Sequence, residues 1–209
     1  GISLLDEICL PLDKKSAISH LEAIGRTGIA WRAQTRVDCI SPELIKLAKE
    51  SGCITMCLGV ESVSQRALDI INKKIDIRKS KEIIYHLKKN GIETRIYMII
   101  GLPGEPDDIL EQTWTFIQET GSDLVYLSLF TVRPGTEVFN NPKKFGIKRV
   151  NSDWNKTMHM YGRYEKEIPQ LSFEYDENTP WGKGLSADKI INNYLELQER
   201  IKAYGLGPI

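Results

Sequence analysis

A glycine-rich segment directly follows an apolar stretch near the middle of this 209-residue chain. Residues 96–100 read Ile-Tyr-Met-Ile-Ile, and residues 101–105 read Gly-Leu-Pro-Gly-Glu. Five apolar or aromatic residues in a row are typical of a strand that is buried on both faces. Because glycine has no side chain, Gly101 and Gly104 would let a flat ligand approach the backbone closely. The pattern therefore predicts a ligand-binding loop at the carboxyl end of a strand, where α/β folds bind their ligands.

Polar residues also follow four other apolar stretches. They are Asp6 and Glu7, Arg36 and Asp38, Glu61 and Ser62, and the run from Arg133 to Glu137. In a parallel β/α architecture every turn that follows a strand lies at the same rim of the sheet. We therefore expect carboxylates, a guanidinium group and the glycine-rich loop to converge on one ligand.

Strand-like and helix-like patterns alternate along the first 131 residues. The strand patterns run from Ile2 to Leu5, Ile29 to Thr35, Ile54 to Val60, Arg95 to Ile100 and Leu124 to Thr131. Amphipathic helical patterns run from Asp13 to Ile24, Pro42 to Glu50, Ser64 to Ile71, Ser80 to Asn90 and Asp107 to Glu119. This alternation predicts parallel strands joined by right-handed crossovers, either in an open doubly wound sheet or curled into a barrel. Five strands alone cannot close a barrel.

The alternation stops near residue 140. From Asn140 to Gly184 aromatic, proline and charged residues mix without a period, which predicts an irregular extension. A final helix is predicted from Ala187 to Tyr204, with Ser186 as its cap and one apolar stripe that packs back on the body. We therefore divide the chain into residues 1–140 and residues 141–209.

Bulk composition favours a cytoplasmic protein and argues against two classes of partner. Lys plus Arg and Asp plus Glu number 28 each, so no net field favours nucleic acid or an anionic membrane. No apolar run approaches the roughly 18 residues that span a bilayer, and no signal-peptide pattern opens the chain. The cysteines lie in apolar or helical contexts, so we expect them to be reduced. They are Cys9, Cys39, Cys53 and Cys57.

Seven short motifs, taken in their order and spacing, resemble the later part of the radical S-adenosylmethionine (SAM) enzyme core. They are Asp6-Glu7, Thr35-Arg36-Val37-Asp38, Ser51-Gly52-Cys53, Gly59-Val60-Glu61-Ser62, Ile71-Asn72-Lys73, Gly101-Leu102-Pro103-Gly104-Glu105 and Pro134-Gly135-Thr136-Glu137. The resemblance covers residues 1 to about 140 and is strongest to the branch that often carries a cobalamin-binding domain ahead of the barrel. It implies an α/β fold with a partial (β/α) TIM-type barrel, truncated before or at its second strand.

In that family a C-x3-C-x2-C loop after the first strand holds a [4Fe-4S] cluster. This sequence has no such loop: Cys53 and Cys57 match the first spacing, but Val60 stands at the third position. Cys53 is predicted at a helix exit and Cys57 within a strand, where thiolates could not surround a cluster. The resemblance thus implies that the cluster ligands and any cobalamin domain lie outside this chain, in an upstream part of the same polypeptide. The chain alone is then expected to be inactive.

The resemblance also implies an activity and a set of SAM-binding residues. The activity is reductive cleavage of SAM to a 5′-deoxyadenosyl radical, or cobalamin-linked methyl transfer, and the cofactors supply that chemistry. Asp6 and Glu7 fall where the family binds the methionine amino group, and Lys73 falls where it binds the carboxylate, which Arg36 could also pair. Glu61 falls at the ribose hydroxyls. The adenine side would be formed by Gly101, Leu102, Pro103, Gly104 and Glu105, with Ile100, Leu129 and Thr131 as apolar walls.

Four of these residues also have a purely structural interpretation. Glu61 could cap the helix that follows it, and Lys73 could complement the dipole of that helix at its C-terminus. Arg36 could form an exposed ion pair with Asp38, which would contribute little. Glu105 could be an acidic residue in the first turn of a helix.

Two other functions are compatible with the sequence. A barrel aldolase or isomerase could use Lys73, or Glu61 with Glu105, for proton transfer without a cluster. A relative that has lost the cluster could serve as a scaffold or binding module. For an enzyme, the expected substrate is a small molecule or a peptide. The strand from Ile2 to Leu5 is predicted to be an unprotected edge, through which the chain would self-associate.

Overall fold

A sheet of five parallel strands forms the centre of the structure, a computed structural model that describes residues 1–6, 8–157 and 169–207. Strands that are paired in the sheet are also consecutive in the sequence, and every pair is parallel. The strands are β1 (Ile2–Ser3), β2 (Trp31–Arg36), β3 (Cys53–Glu61), β4 (Glu93–Ile100) and β5 (Leu124–Leu129). The sheet curls into a half-barrel, which confirms the predicted partial TIM-type architecture over the doubly wound alternative.

Helices connect the strands and cover the convex face of the half-barrel. They are α1 (Lys14–Gly25), α2 (Pro42–Glu50), α3 (Gln65–Ile70), α4 (Ile77–Lys89) and α5 (Ile109–Thr120). In β4, Ile96, Met98 and Ile100 are buried, while Tyr97 and Ile99 between them are only half-buried. The expectation that residues 96–100 are buried on both faces is therefore wrong for Tyr97 and Ile99, whose face of the strand is only partly covered by the described residues.

The extension contains more regular structure than the sequence predicts. It begins with α6 (Glu137–Asn140), β6 (Ile147–Val150) and α7 (Trp154–Thr157). It continues with β7 (Phe173–Tyr175), β8 (Asn178–Thr179) and β9 (Gly182–Lys183), where β6 pairs antiparallel with β7 and β8 pairs with β9. The expectation of an irregular stretch from Asn140 to Gly184 is wrong for these residues, because such short strands leave little periodicity in the sequence.

The final helix, α8 (Ala187–Ala203), begins after Ser186, whose side chain accepts a hydrogen bond from the backbone of Lys189. It packs against the sheet, and the backbone of Leu206 beyond it accepts a hydrogen bond from Val125 at the edge strand β5. The predicted cap and the predicted packing of this helix are both confirmed. A division into domains at residue 140 stays a prediction. Within residues 1–6, 8–157 and 169–207, no helix is long and apolar enough to cross a bilayer.

Candidate active site

Four charged side chains meet where β2 and β3 end, and we call them the rim cluster: Arg36, Asp38, Glu61 and Lys73. Arg36 makes two hydrogen bonds to Asp38, of 2.8 Å from Nε and 2.6 Å from Nη2. Lys73 Nζ donates to Glu61 Oε1 at 2.9 Å. Because β2 and β3 are adjacent and Arg36 lies opposite Gly59, the two ion pairs are neighbours. The structure thus brings together Arg36, Glu61 and Lys73, as the sequence predicts.

Lys73 reaches the cluster through the end of α3. The backbone N–H of Lys73 donates to Leu68 at 2.8 Å and that of Asn72 donates to Asp69 at 3.0 Å, which together form a Schellman motif. Asn72 occupies the left-handed region, with φ of 56°. Asparagine tolerates this conformation better than most residues do. The motif turns the chain back towards β3 and so brings the lysine next to Glu61.

Glu61 reaches the cluster through a tight and strained turn at the end of β3. Its φ is 70°, and the N–H of Ser62 donates to the carbonyl of Val60 at 3.0 Å across it. A three-residue turn with a positive central φ is rare and strained. The Glu61 side chain folds back over Gly59, where a Cβ atom would lie 2.9 Å from Glu61 Oε1. A larger residue at position 59 would therefore force this carboxylate to shift.

The rim cluster has balanced charge and is partly open to solvent. The exposed side-chain fractions are 31% for Arg36, 28% for Asp38, 35% for Lys73 and 15% for Glu61. The hydrogen bonds from Arg36 hold the pKa of Asp38 below its usual value. Partly exposed ion pairs contribute little to stability and exchange partners readily. Such a cluster can bind a zwitterionic ligand whose ammonium, carboxylate and hydroxyl groups replace the internal partners.

The glycine-rich loop is held in place by Glu105, which is 5% exposed. Its Oε2 accepts a hydrogen bond from the Gly101 N–H at 2.8 Å, and its Oε1 accepts one from the Ser62 hydroxyl at 2.9 Å. Burial raises the pKa of Glu105 to about 8, against the opposing effect of these hydrogen bonds. Since α5 begins only at Ile109, the interpretation of Glu105 as a first-turn helix acid is wrong.

The two glycines of this loop face protein. Gly101 has φ of 94°, and a Cβ atom there would lie 2.9 Å from the Cγ2 atom of Ile190 in α8. Gly104 has φ of 86°, and a Cβ atom there would overlap the side chain of Ile70 in α3. Both Leu102 and Pro103 between them are buried. The space beside these α-carbons is occupied by helices, so close helix packing requires the glycines. An adenine contact by the loop stays a prediction.

Among the described residues, no hydrogen bond or ion pair joins Asp6, Ile100 or Leu129 to a side chain of the rim cluster. Asp6 is exposed in the segment after β1, and its charge acts on the buried thiol of Cys9. Glu7 lies outside the described residues. The expected apolar walls Ile100 and Leu129 pair with each other across the sheet and are 1% and 3% exposed. Their side chains therefore belong to the core.

A second concave feature was not predicted from the sequence. A cleft of about 200 Å³ lies on the inner face of the half-barrel. Its lining includes Arg32, Gln34, Cys57, Arg95, Tyr97 and Tyr126. The rings of Tyr97 and Tyr126 stack at 5.0 Å. The signal for this face was present in the sequence, since every second residue of β2 and β4 in this region is polar or aromatic.

The cysteines do not form a site for an iron-sulfur cluster. Cys9, Cys39, Cys53 and Cys57 are all free thiols, and the first three are buried. Burial raises the pKa of Cys9 to about 11 and that of Cys53 to about 12, so neither is a thiolate at neutral pH. In the part of the chain that the structure describes, no three His, Cys, Asp or Glu residues are grouped to hold a metal. These residues do not fit a [4Fe-4S] cluster.

In a comparison with protein families, residues 9–117 match the model described as the Radical SAM superfamily. An uncharacterized methyltransferase of Pyrococcus horikoshii is 34% identical over 140 residues, which cover 66% of this chain and 30% of that protein. The bacteriochlorophyllide d C-12(1)-methyltransferase of Chlorobaculum tepidum is 28% identical over 184 residues, which cover 87% of this chain and 36% of that protein. This chain therefore spans about a third of the length of these curated relatives.

Two solved structures share the fold. The radical SAM methyltransferase TsrM from Kitasatospora setae superposes with a TM-score of 0.56 at 15% identity, over 61% of this chain and 25% of that one. The archaeal Elp3 of Methanocaldococcus infernus superposes with a TM-score of 0.53 at 18% identity, over 93% of this chain and 47% of that one. At these identities the likeness concerns the backbone architecture.

Proposed function

The chain belongs to the radical SAM superfamily, whose model covers more than half of it, and we propose that its rim cluster holds the methionine and ribose parts of SAM. The resemblance of the short motifs to this family is thereby confirmed. In the proposal, residues 1–140 supply the barrel wall that carries the ligand, and residues 141–209 support that wall from outside.

The observation that carries the proposal is the convergence of three motif residues from separate turns. Arg36 ends β2, Glu61 ends β3, and Lys73 follows α3, yet all three lie at one rim. The methionine end of SAM carries an ammonium and a carboxylate group, and its ribose carries two hydroxyl groups. Lys73 and Arg36 suit the carboxylate, while Glu61 suits the hydroxyls, because a carboxylate accepts hydrogen bonds and cations donate them.

Binding would exchange the internal ion pair of Glu61 and Lys73 for contacts with the ligand. The two groups are 2.9 Å apart and partly exposed, so the loss of their pairing costs about 1 kcal/mol or less. Charge-assisted hydrogen bonds to the ligand offset that cost. When bound, SAM would supply either a methyl group or, on reductive cleavage with an electron from the cluster, a 5′-deoxyadenosyl group. The role of this chain is to bind and orient it.

We place the cluster ligands outside these 209 residues, since the buried thiols of Cys9 and Cys53 are protonated and the described residues contain no group of three His, Cys, Asp or Glu that could hold a metal. The same holds for any cobalamin-binding domain. Because relatives of this chain include proteins named as methyltransferases, we propose cobalamin-linked methyl transfer to a small-molecule or peptide substrate in the cytoplasm as the activity of the whole protein. The 209-residue chain alone would then be inactive.

The proton-transfer alternative finds less support in the geometry. A pair formed by Glu61 and Glu105 would require both carboxylates to face one substrate. Glu105 is 5% exposed, and both of its oxygens already accept hydrogen bonds from Ser62 and Gly101. A general base must be within hydrogen-bonding reach of its proton. Glu105 is therefore better suited to hold the loop than to act on a substrate.

The proposal is tested on the full-length protein, reconstituted with iron and sulfide under anaerobic conditions. Incubation with SAM and dithionite is expected to give 5′-deoxyadenosine, or S-adenosylhomocysteine if a methyl group is transferred. The 209-residue chain, treated in the same way, is expected to give neither. A colourless full-length protein without product would contradict the assignment to SAM chemistry.

The site itself is tested by SAM affinity, measured by calorimetry. Glu61→Ala and Lys73→Ala should each raise the dissociation constant about tenfold or more, the cost of a charge-assisted contact. Lys88→Ala is the matched control, because Lys88 also has a 35% exposed side chain and pairs with Asp123 at 2.9 Å, on the surface away from the rim. Unchanged affinity in both site variants would show that the rim cluster does not bind SAM.

A further inference from the structure

The strained turn at Glu61 is supported by a buried carboxylate from another loop. Ser62 directly follows Glu61 and is 1% exposed. Its hydroxyl donates to Glu105 Oε1 at 2.9 Å and accepts from the N–H of Ser64 at 3.2 Å. The backbone of Ser62 closes the turn across Glu61. Both the side chain and the backbone of Ser62 are thus fixed.

Glu105 is in turn fixed to its own loop. Its second oxygen accepts from the Gly101 N–H at 2.8 Å, and the Gly101 carbonyl accepts from the Tyr175 hydroxyl at 2.8 Å. Arg66 Nε donates to the Gly104 carbonyl at 2.8 Å, which ties α3 to the same loop. A chain of hydrogen bonds therefore runs from β7 through the loop after β4 to the turn after β3.

We propose that Glu105 is a positioning residue that holds Glu61 in its left-handed conformation by way of Ser62. The inference rests on the function proposed above, in which Glu61 binds SAM. A residue with positive φ that is neither Gly nor Asn costs of order 1 kcal/mol or more, and it persists only where surrounding contacts enforce it. Among the described contacts, the hydroxyl of Ser62 links this turn to the loop that follows β4.

A purely local role is the alternative. Glu105 could serve only to satisfy the Gly101 N–H, in which case its link to Ser62 would not affect Glu61. The two roles differ in one measurable respect. If Glu105 positions Glu61, substitutions at residues 62 and 105 lower ligand affinity only when Glu61 is present. If the role of Glu105 is local, these substitutions have the same effect on ligand affinity with and without Glu61.

The test is a double-mutant cycle on the full-length protein, with SAM affinity measured by calorimetry. Ser62→Ala is expected to raise the dissociation constant about fivefold to tenfold, the equivalent of one hydrogen bond. In a Glu61→Ala background the same substitution is expected to change it less than about twofold, because the side chain being positioned is absent. Ser80→Ala is the control, since it removes a buried hydroxyl of α4 that donates at 3.2 Å to the backbone carbonyl of Asp76, the N-cap of this helix.

Glu105 is tested by two variants of different chemistry. Glu105→Leu should behave like Ser62→Ala, while Glu105→Gln should retain affinity, because an amide can bond both Gly101 and Ser62. If Glu105→Leu does not fold, Ser62→Ala tests the same link. Equal losses of affinity with and without Glu61, or no loss in Ser62→Ala, would overturn the inference and leave the SAM site intact. Unchanged affinity in Glu61→Ala would remove the basis of this inference, and unchanged affinity in both Glu61→Ala and Lys73→Ala would overturn the proposed function.

Discussion

Glu61 Oε1 and Lys73 Nζ lie 2.9 Å apart, and each side chain reaches that position through a backbone conformation that L residues rarely adopt. In the described part of the chain, the non-glycine residues with positive φ are Glu61 and Asn72, and Asn72 immediately precedes Lys73. Strained conformations concentrate at functional sites, where surrounding structure enforces them. The two residues with positive φ therefore both position the ion pair of Glu61 and Lys73, which supports the rim cluster as a ligand site.

A charge swap separates ligand binding from simple ion pairing. Glu61→Lys and Lys73→Glu should each lower the free energy of unfolding by about 1 kcal/mol or less and should abolish tight SAM binding. The double variant restores an ion pair, so its stability in denaturant should return towards that of the wild type. Its SAM affinity should not return, because each charge now faces the wrong group of the ligand. Recovery of affinity in the double variant would mean that the pair acts only in structure.

Replacement of Glu61 by two small residues measures the strain in its turn. Glycine adopts positive φ without penalty, while alanine does not. Because φ is 70° at this position, Glu61→Gly should be more stable than Glu61→Ala by about 1 kcal/mol in urea unfolding. SAM affinity should be equally poor in both, since neither carries a carboxylate. Equal stabilities would show that the turn relaxes when the glutamate is removed.

The sequence contains enough information to predict the rim but too little to predict its geometry. Arg36 and Glu61 were identified because parallel strands place their carboxyl ends at one edge, a rule that depends only on β-α alternation. The positive φ of Glu61 has no local signal, since glutamate is not a residue that favours it. The bond from Ser62 to Glu105 joins residues that are 43 apart in the chain, and only the tertiary structure reveals it.

The roles of Gly101 and Gly104 show a second limit. The sequence predicts their positions in a turn after β4. A glycine that allows a ligand to approach the backbone and a glycine that allows a helix to pack closely give the same sequence pattern, however. Ile190, which packs against Gly101, lies in α8 at the other end of the chain. Long-range packing of this kind decides between the two roles.

The buried carboxyl of Glu105 should make stability depend on pH. Its pKa is about 8 in the folded protein and 4.5 in an unperturbed Glu, so unfolding releases a proton between these pH values. The stabilising contribution is fully present below pH 4.5 and is lost as pH rises towards about 8, by at most roughly 1.4 kcal/mol per pH unit. Tyr175, whose own pKa is raised by burial and by Glu105, faces the same loop.

Glu105→Gln removes this titration. Relative to the wild type, the variant should gain stability progressively between pH 5 and pH 8, as measured by urea unfolding at several pH values. Glu82→Gln, on the exposed face of α4, controls for the loss of one carboxylate. A stability difference between Glu105→Gln and wild type that does not change with pH would mean that Glu105 is ionised in the folded protein throughout this range.

Gly104→Ala tests whether this glycine serves helix packing. The new methyl group would overlap Ile70, and φ is 86°, so the loss of stability should combine steric overlap with backbone strain. Gly135→Ala is the matched control, because φ is 83° there but no atom lies within 4 Å. We expect about 1 kcal/mol of loss for Gly135→Ala and roughly 2 to 4 kcal/mol for Gly104→Ala. Adding Ile70→Val removes the overlapping methyl group and should recover part of the difference. No recovery would show that the overlap is relieved elsewhere.

The open edge of the half-barrel should make the isolated 209-residue chain associate. In the described sheet β1 pairs only with β2, and the side chains of Ile2 and Leu5 beside this edge are 46% and 89% exposed. An unpaired strand edge flanked by apolar side chains is a template for a second copy. The chain should therefore sediment as a dimer or larger species at micromolar concentration, and lysine at either position should shift it towards the monomer because a charge opposes edge pairing. Tyr85→Lys is the control, since Tyr85 is 61% exposed on α4, away from the edge. A wild-type chain that sediments as a monomer at every concentration would rule out association through β1.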